Sequence, residues 1–254
     1  MDRLNLVSFI FLVVLFVLTP RAALRSARTL RQVEADGQAI PRRRMTLSTM
    51  FALAVLWAIS SVNATMMGEN LFSVRGVGLR EVGIGVAGFA LLLLAIPVAR
   101  ALRSPEEDRR RLMRSMAPRT SRELAIFALV AVMAGVAEES AYRGVAVWIL
   151  APILGHLLPA MFLSAMAFAV AHAVQGGKTM AMVFIIAAVF HAIVYFTGTL
   201  VIAMVVHAAY DIIAGHVAGK RARAMDAADA APADATTAKT ASPAPPTAPG
   251  RTAG

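Results

Sequence analysis

An all-α polytopic membrane bundle of about seven transmembrane helices is the fold class this sequence predicts, and three observations predict it. The 254-residue chain is 58% hydrophobic, with a mean hydropathy of +0.68, too apolar for a water-soluble domain. Its apolar residues come in seven long runs. Its charge, formally +10, is gathered between those runs as arginine clusters, the signal that orients membrane helices. That clustering argues against nucleic acid as the partner of a basic chain. With no cysteine, disulfides, thiolate catalysis and Cys-ligated metal sites are excluded.

The first run, Leu4 to Leu18, has the length of a signal-peptide core but reads better as an anchor. Only Arg3 precedes it, Asp2 offsets that charge, and no small-residue cleavage site follows. The segment Arg21 to Arg44 carries seven arginines and should lie on the cytoplasmic side. The second span is Leu47 to Met67 and the third Val82 to Ala99, joined by the polar loop GENLFSVRGVGLRE. Eight arginines against four acids in RALRSPEEDRRRLMRSMAPRTSRE mark a second cytoplasmic segment. The fourth span starts near Leu124 and ends around Trp148 to Leu150, before Pro152. Pro159 opens the fifth, which reaches Val174; the polar turn QGGK follows. The sixth is Met180 to Phe196, broken by Thr197 and Gly198, and the seventh Leu200 to Gly215. Lys220, Arg221 and Arg223 mark another cytoplasmic end. Seven spans with a cytoplasmic C-terminus place the N-terminus outside, and every basic cluster then falls on one side.

Three regions result: N-terminal helices and arginine-rich loops over 1–120, a helical core over 121–216, and a tail over 217–254. From Met225 the tail is rich in Ala, Pro and Thr without recurring large apolar residues, the composition of a disordered segment. No internal repeat is visible.

Ionisable groups inside spans are costly, about 2.5 kcal/mol or more each at the centre, and are functional candidates for that reason. The stretch AGVAEESAYRG supplies Glu138, Glu139 and Arg143. Glu139 and Arg143 stand at i and i+4 with the acid N-terminal, the favourable order for an ion pair. Glu138 points elsewhere on the helix, and a carboxylate without a counter-charge in a dry setting suits a general base. His172 shares a helix face with Phe168, and His207 with Asp211. A glutamate and two histidines converging from different helices are the ingredients for activating water, with or without a metal. Blander roles exist for each: a structural ion pair for Glu139 and Arg143, a hydrogen-bonded core histidine for His172, a carboxylate-oriented imidazole for His207 with Asp211. His191 lies mid-span with no i±3 or i±4 partner and reads as structural; His156 and His216 lie at a turn and a span end. The sequon Asn63-Ala64-Thr65 lies at a span and is set aside.

EESAYR, FAVAH and HAAYD, in that order on successive apolar helices, match the motifs E-E-x-x-x-R, F-x-x-x-H and H-x-x-x-(N/D). YFTGTL resembles the turn that precedes the third. Over Ser121 to Gly215 the chain resembles the CPBP (ABI) family of intramembrane proteases, which includes the type II CAAX prenyl endopeptidases. The resemblance implies peptide-bond hydrolysis within a membrane cavity, on a membrane-associated protein or peptide. Glu138 would activate water with help from His172, Glu139 and Arg143 would hold the geometry, and His207 with Asp211 would sit at the tetrahedral intermediate. Asparagine at position 211 would donate to an oxyanion, which an ionised aspartate cannot do. Asp211 is therefore protonated, or orients His207, or helps bind a cation. His172, His207 and Asp211 are candidate ligands for Zn²⁺, although a metal-free route is chemically adequate. Within the same fold, a scaffold, immunity or regulatory protein remains the alternative, as does a transporter with an acid relay. The lack of an inverted repeat counts against the transporter. The membrane expected is the plasma (inner) membrane.

One spacing is awkward. Glu138 lies about 24 Å along a straight helix from Arg122, whereas His172 lies just before the QGGK turn. Either the fourth helix begins below the membrane surface or tilts, or the turn dips inward. On topology, reporter fusions at Gln38, Pro105 and Ala230 are expected all to score cytoplasmic; an extracytoplasmic signal at Gln38 would require a different span count.

Overall fold

The computed structural model describes residues 5–36, 38, 42–114 and 116–230. Its elements run α1 (Leu6–Val13), a π-helical turn Val14–Leu18, α2 (Thr19–Ala35), α3 (Arg42–Met66), α4 (Leu79–Ala101), α5 (Pro105–Arg114) and α6 (Ser121–Glu138). A second π-helical segment, Glu139–Val145, then leads into α7 (Ala146–Leu154), α8 (Leu157–Ala171), a 3₁₀ turn Ala173–Gln175, α9 (Gly177–Thr197) and α10 (Leu200–Asp229). No strand occurs among the described residues. Six helical rods are long and apolar enough to cross a membrane, and α8 is a shorter apolar helix. These seven coincide with the seven apolar runs.

The first rod is continuous from Leu6 to Val33, so much of the segment read as a cytoplasmic loop is helix. Its Ala, Leu and Arg residues are strong helix formers. Pro20 would normally break the rod, having no N–H to give the preceding turn. The wide turn at Val14–Leu18 lies just before it, and there both the backbone N–H and the hydroxyl of Thr19 bond the Val14 carbonyl. The C-terminal reading is corrected in the same way. Rather than a tail from residue 217, α10 continues to Asp229, and the remainder of the tail from 231 lies outside the described residues.

What continues α10 is ion pairing at the arginine-rich end of the bundle. Asp226 accepts from Arg119 at 2.6 Å and Asp229 from Arg109 at 2.8 Å. Arg221 holds Asp108 through both carboxylate oxygens. Lys178 at the start of α9 bonds Glu107 at 2.9 Å, and that contact holds the Glu107 carboxyl below its usual range. Arg42 pairs with Glu123 at 3.1 Å. The short helix α5 is thereby tied to α9 and α10, across the ends of the spans. At the opposite end the joints are lighter: Thr199 donates to the Ser73 carbonyl at 2.7 Å, and Arg80 to the Phe196 carbonyl at 3.4 Å.

The tightest helix pair is α6 with α10, which run antiparallel. A Cβ built on Gly135 would come 2.7 Å from the Met204 carbonyl oxygen. Cβ atoms on Gly215 and Gly219 would collide with the Phe127 ring and the Pro118 carbonyl. Such contact of backbones through small residues is how helices associate where lipid offers no hydrophobic driving force. It also fixes register, since Gly135 lies one turn before Glu138 and Glu139, and Met204 one turn before His207. The third helix of this neighbourhood, α8, has only 15 residues, about 22 Å, against a hydrocarbon core of about 30 Å. Its end, with His172, therefore stops within the span depth, and α6 and α10 extend past it into the ion-paired end. That resolves the awkward spacing of Glu138 and His172.

The packing yields a paired prediction. Gly135→Ala should lower stability by roughly 1–3 kcal/mol, although alanine is the better helix former. Gly83→Ala in α4, where a Cβ meets nothing within 4 Å, should be neutral or stabilising. Thermal unfolding in one detergent compares them; equal effects would disprove the close contact.

Candidate active site

The helix that begins at the Thr120 cap, whose hydroxyl accepts from Glu123 N–H, stays α-helical to Glu138 and then widens. Over Glu139–Val145 it is a π-helix, and every one of those seven residues is buried. Wide turns of this kind favour functional sites, because the local geometry is held by surroundings rather than by propensity. Two hydroxyls reinforce it. Ser140 donates to the Val136 carbonyl at 2.7 Å, and Ser164 of α8 donates to the Tyr142 carbonyl. Tyr142 packs edge-on against Phe168 with ring centroids 4.9 Å apart.

Glu139 is the junction. Its Oε1 accepts from Arg143 Nη1 at 3.0 Å and from His207 Nδ1 at 2.7 Å. Neither side chain of the Glu139–Arg143 pair has any exposed surface. The Arg143 guanidinium lies 4.4 Å over the Phe168 ring and 5.2 Å from that of Phe190, a setting in which the aromatic faces offset part of its lost hydration. Phe190 also stacks on His207, centroids 4.9 Å apart. The ion pair is the one the spacing predicts. The bond to His207 is not legible from spacing, because it joins α10 to the helix two crossings of chain before it.

That bond assigns the tautomer. Nδ1 of His207 must carry the proton it gives to Glu139, so Nε2 points the other way. There it lies 3.6 Å from Glu138 Oε2 and 3.6 Å from Asp211 Oδ2, too long for direct hydrogen bonds and spaced to be bridged. The imidazole is thus oriented by Glu139, with Asp211 on its far side. His172 caps the end of α8, its Nδ1 2.8 Å from the Phe168 carbonyl. A carbonyl only accepts, so Nδ1 is the donor and Nε2 is left as an acceptor. The charged and titratable groups facing Glu138 are His172, His207, Asp211 and Arg143. Glu138 keeps 17% of its side-chain surface open and Asp211 33%. The structure therefore brings all six candidate residues into one neighbourhood, closed on the Glu139 side and open on the Glu138 side.

His191 is buried in α9 at 4% exposure. His156 caps α8 at an exposed turn, and His216 lies within α10 rather than at its end. Among the described residues no group of three or more His, Asp or Glu is arranged to hold a metal ion. His207 Nδ1 is taken by Glu139 and His172 Nδ1 by a carbonyl, which leaves the Nε2 of each ring free.

Glu139→Gln should leave Arg143 buried with its charge unopposed. A loss of about 3–5 kcal/mol is expected, read as a lower unfolding midpoint in detergent; an unchanged midpoint would disprove the pairing.

The family model described as Type II CAAX prenyl endopeptidase Rce1-like matches residues 120–213. No curated protein and no solved structure matches the chain. The matched segment starts at the cap of α6 and ends just after Asp211, so it spans every residue of the charge cluster. The helices that hold Glu138, Glu139, Arg143, His172, His207 and Asp211 thus lie in the segment that is similar to the Rce1-like type II CAAX prenyl endopeptidases.

Proposed function

We propose that the chain is an intramembrane endopeptidase that hydrolyses a peptide bond of a membrane-associated protein or peptide with water activated by Glu138. The observation that carries this reading is the asymmetry of the carboxylate pair. Glu139 is committed to Arg143 and His207, whereas Glu138 has no hydrogen bond of its own and keeps an open face. The family match supports protease chemistry.

The steps follow from the donors and acceptors. A water between Glu138 and His172 Nε2 loses a proton to Glu138 as its oxygen attacks the substrate carbonyl. The carbonyl oxygen gains negative charge near His207, whose Nε2 side faces the open part of the site. When that nitrogen is protonated it is a donor placed for the oxyanion, with Asp211 beside it. Glu138 then returns the proton to the leaving amine, and the peptide bond breaks with one water consumed. Glu139 and Arg143 touch no substrate in this scheme and act as positioning residues. No step is routed through a metal.

Glu138→Gln keeps the shape and removes proton acceptance. It should cut cleavage of a membrane-tethered peptide by about 10²–10⁴-fold while the protein stays folded. Asp211→Asn should stay within about tenfold of the parent, or about 1.4 kcal/mol, because Glu139 still orients the ring. Turnover should persist in metal-depleted protein. Equal activity of Glu138→Gln and parent would overturn the base, and would favour a scaffold or regulatory role if neither cleaves. Stoichiometric zinc that tracks activity would overturn the metal-independent route.

A further inference from the structure

Basic side chains at the arginine-rich end are not all spent alike. Arg42, Arg109, Arg119, Lys178 and Arg221 are committed to acids on other helices. The arginines of α2, Arg21, Arg25, Arg28 and Arg31, are all exposed. Among the described residues none of them makes a hydrogen bond or an ion pair. No acid occurs between Arg3 and Val33 to offset them.

Their spacing gathers them on one side of the helix, within an arc of about 120°. Ala23, Ala27 and Leu30 fall on the other side. Ala23 is buried and the other two are half-buried, as befits the side that packs on α8 and the turn Ala173–Gln175. The arginine face therefore points away from the protein. Arg21 lies about 22 Å along the rod from Leu6, short of a hydrocarbon core of about 30 Å. The row thus starts at membrane depth and leaves it along the helix, rather than lying wholly in water. An arginine at that level carries its charge to the interface on an apolar stem, where lipid phosphates are its nearest counter-ions. Leu24 stands in the same arc and is 43% exposed, an apolar contact for chains below those heads.

We infer that the Arg21, Arg25, Arg28 and Arg31 face of α2 binds the headgroups of anionic phospholipids in the leaflet at the arginine-rich end, with Leu24 against their acyl chains. A basic row on a helix that continues a membrane span is placed for such recognition. The surface stands apart from the charge cluster of the candidate active site, so it holds whether or not the chain cleaves peptides.

The chain has no cysteine, so Gln32→Cys, at an exposed position on the same face, takes a single bimane label. The full chain in phosphatidylcholine nanodiscs is titrated with phosphatidylglycerol or phosphatidylcholine carrying a nitroxide near the top of one acyl chain, which quenches bimane on close approach. The mole fraction for half-quenching should be about fivefold lower for the anionic lipid, and the difference should shrink at high salt. Arg21→Gln, Arg25→Gln, Arg28→Gln and Arg31→Gln together should make the two lipids equal. The same charge removed by Arg43→Gln, Arg44→Gln, Arg100→Gln and Arg122→Gln, also at exposed positions, should leave the preference in place. The milder pair Arg25→Gln with Arg28→Gln should lower the preference in part, and decides the point if the fourfold variant does not fold. Glycerol phosphate at matched ionic strength should not compete. Equal quenching by the two lipids, quenching by neither, or a preference that falls equally in both fourfold variants would overturn the inference. Competition by glycerol phosphate would overturn it as well and assign the face to a soluble anion.

Discussion

One carboxylate oxygen, Oε1 of Glu139, holds this core together. It receives a guanidinium from its own helix and an imidazole from α10. Neither bond survives without the other's geometry. The arginine sets where the acid sits, and the acid sets which nitrogen of His207 carries a proton. In a low-dielectric interior a buried charge must be held by its surroundings, and here the holding runs through Oε1 and Nη1, while Oε2 of Glu139 and Nε and Nη2 of Arg143 find no partner. Two phenylalanine faces flank the guanidinium, and a π-helical turn presents the acid. The Gly135 contact then brings α10 near enough to reach it.

Division of labour between adjacent glutamates follows from that junction. Two consecutive residues on a regular helix differ by about 100° in direction. In this chain the difference becomes one of environment: Glu139 is sealed and doubly bonded through one oxygen, and Glu138 keeps part of its side chain open beside His207. A single acid could not both fix an imidazole and exchange protons with solvent, since each protonation would release the ring.

Much of the architecture was legible in the sequence because lipid imposes simple rules. Seven apolar runs became seven helices, and the Glu139–Arg143 pair followed from i, i+4 spacing alone. Three features were not legible, each for its own reason. The π turn at Glu139–Val145 has no compositional signature, being held by Ser140, Ser164 and the packing of α8. The extension of α10 to Asp229 depends on acids that read as tail until Arg109 and Arg119 are seen opposite them. The bond from His207 to Glu139 spans 68 positions, a distance at which no local pattern speaks. The spacing did show that His172 and Glu138 disagreed in depth, and the shortness of α8 is the answer.

That short helix carries a consequence for the surrounding lipid. A rod some 8 Å shorter than the hydrocarbon core leaves the polar turn at Gln175–Gly177 at a depth where acyl chains would otherwise lie. Membranes meet such mismatch by thinning locally or by drawing in neighbours, and here α2 lies against both α8 and the turn. A bilayer that matched α8 along its length would be thinner there than around the longer rods.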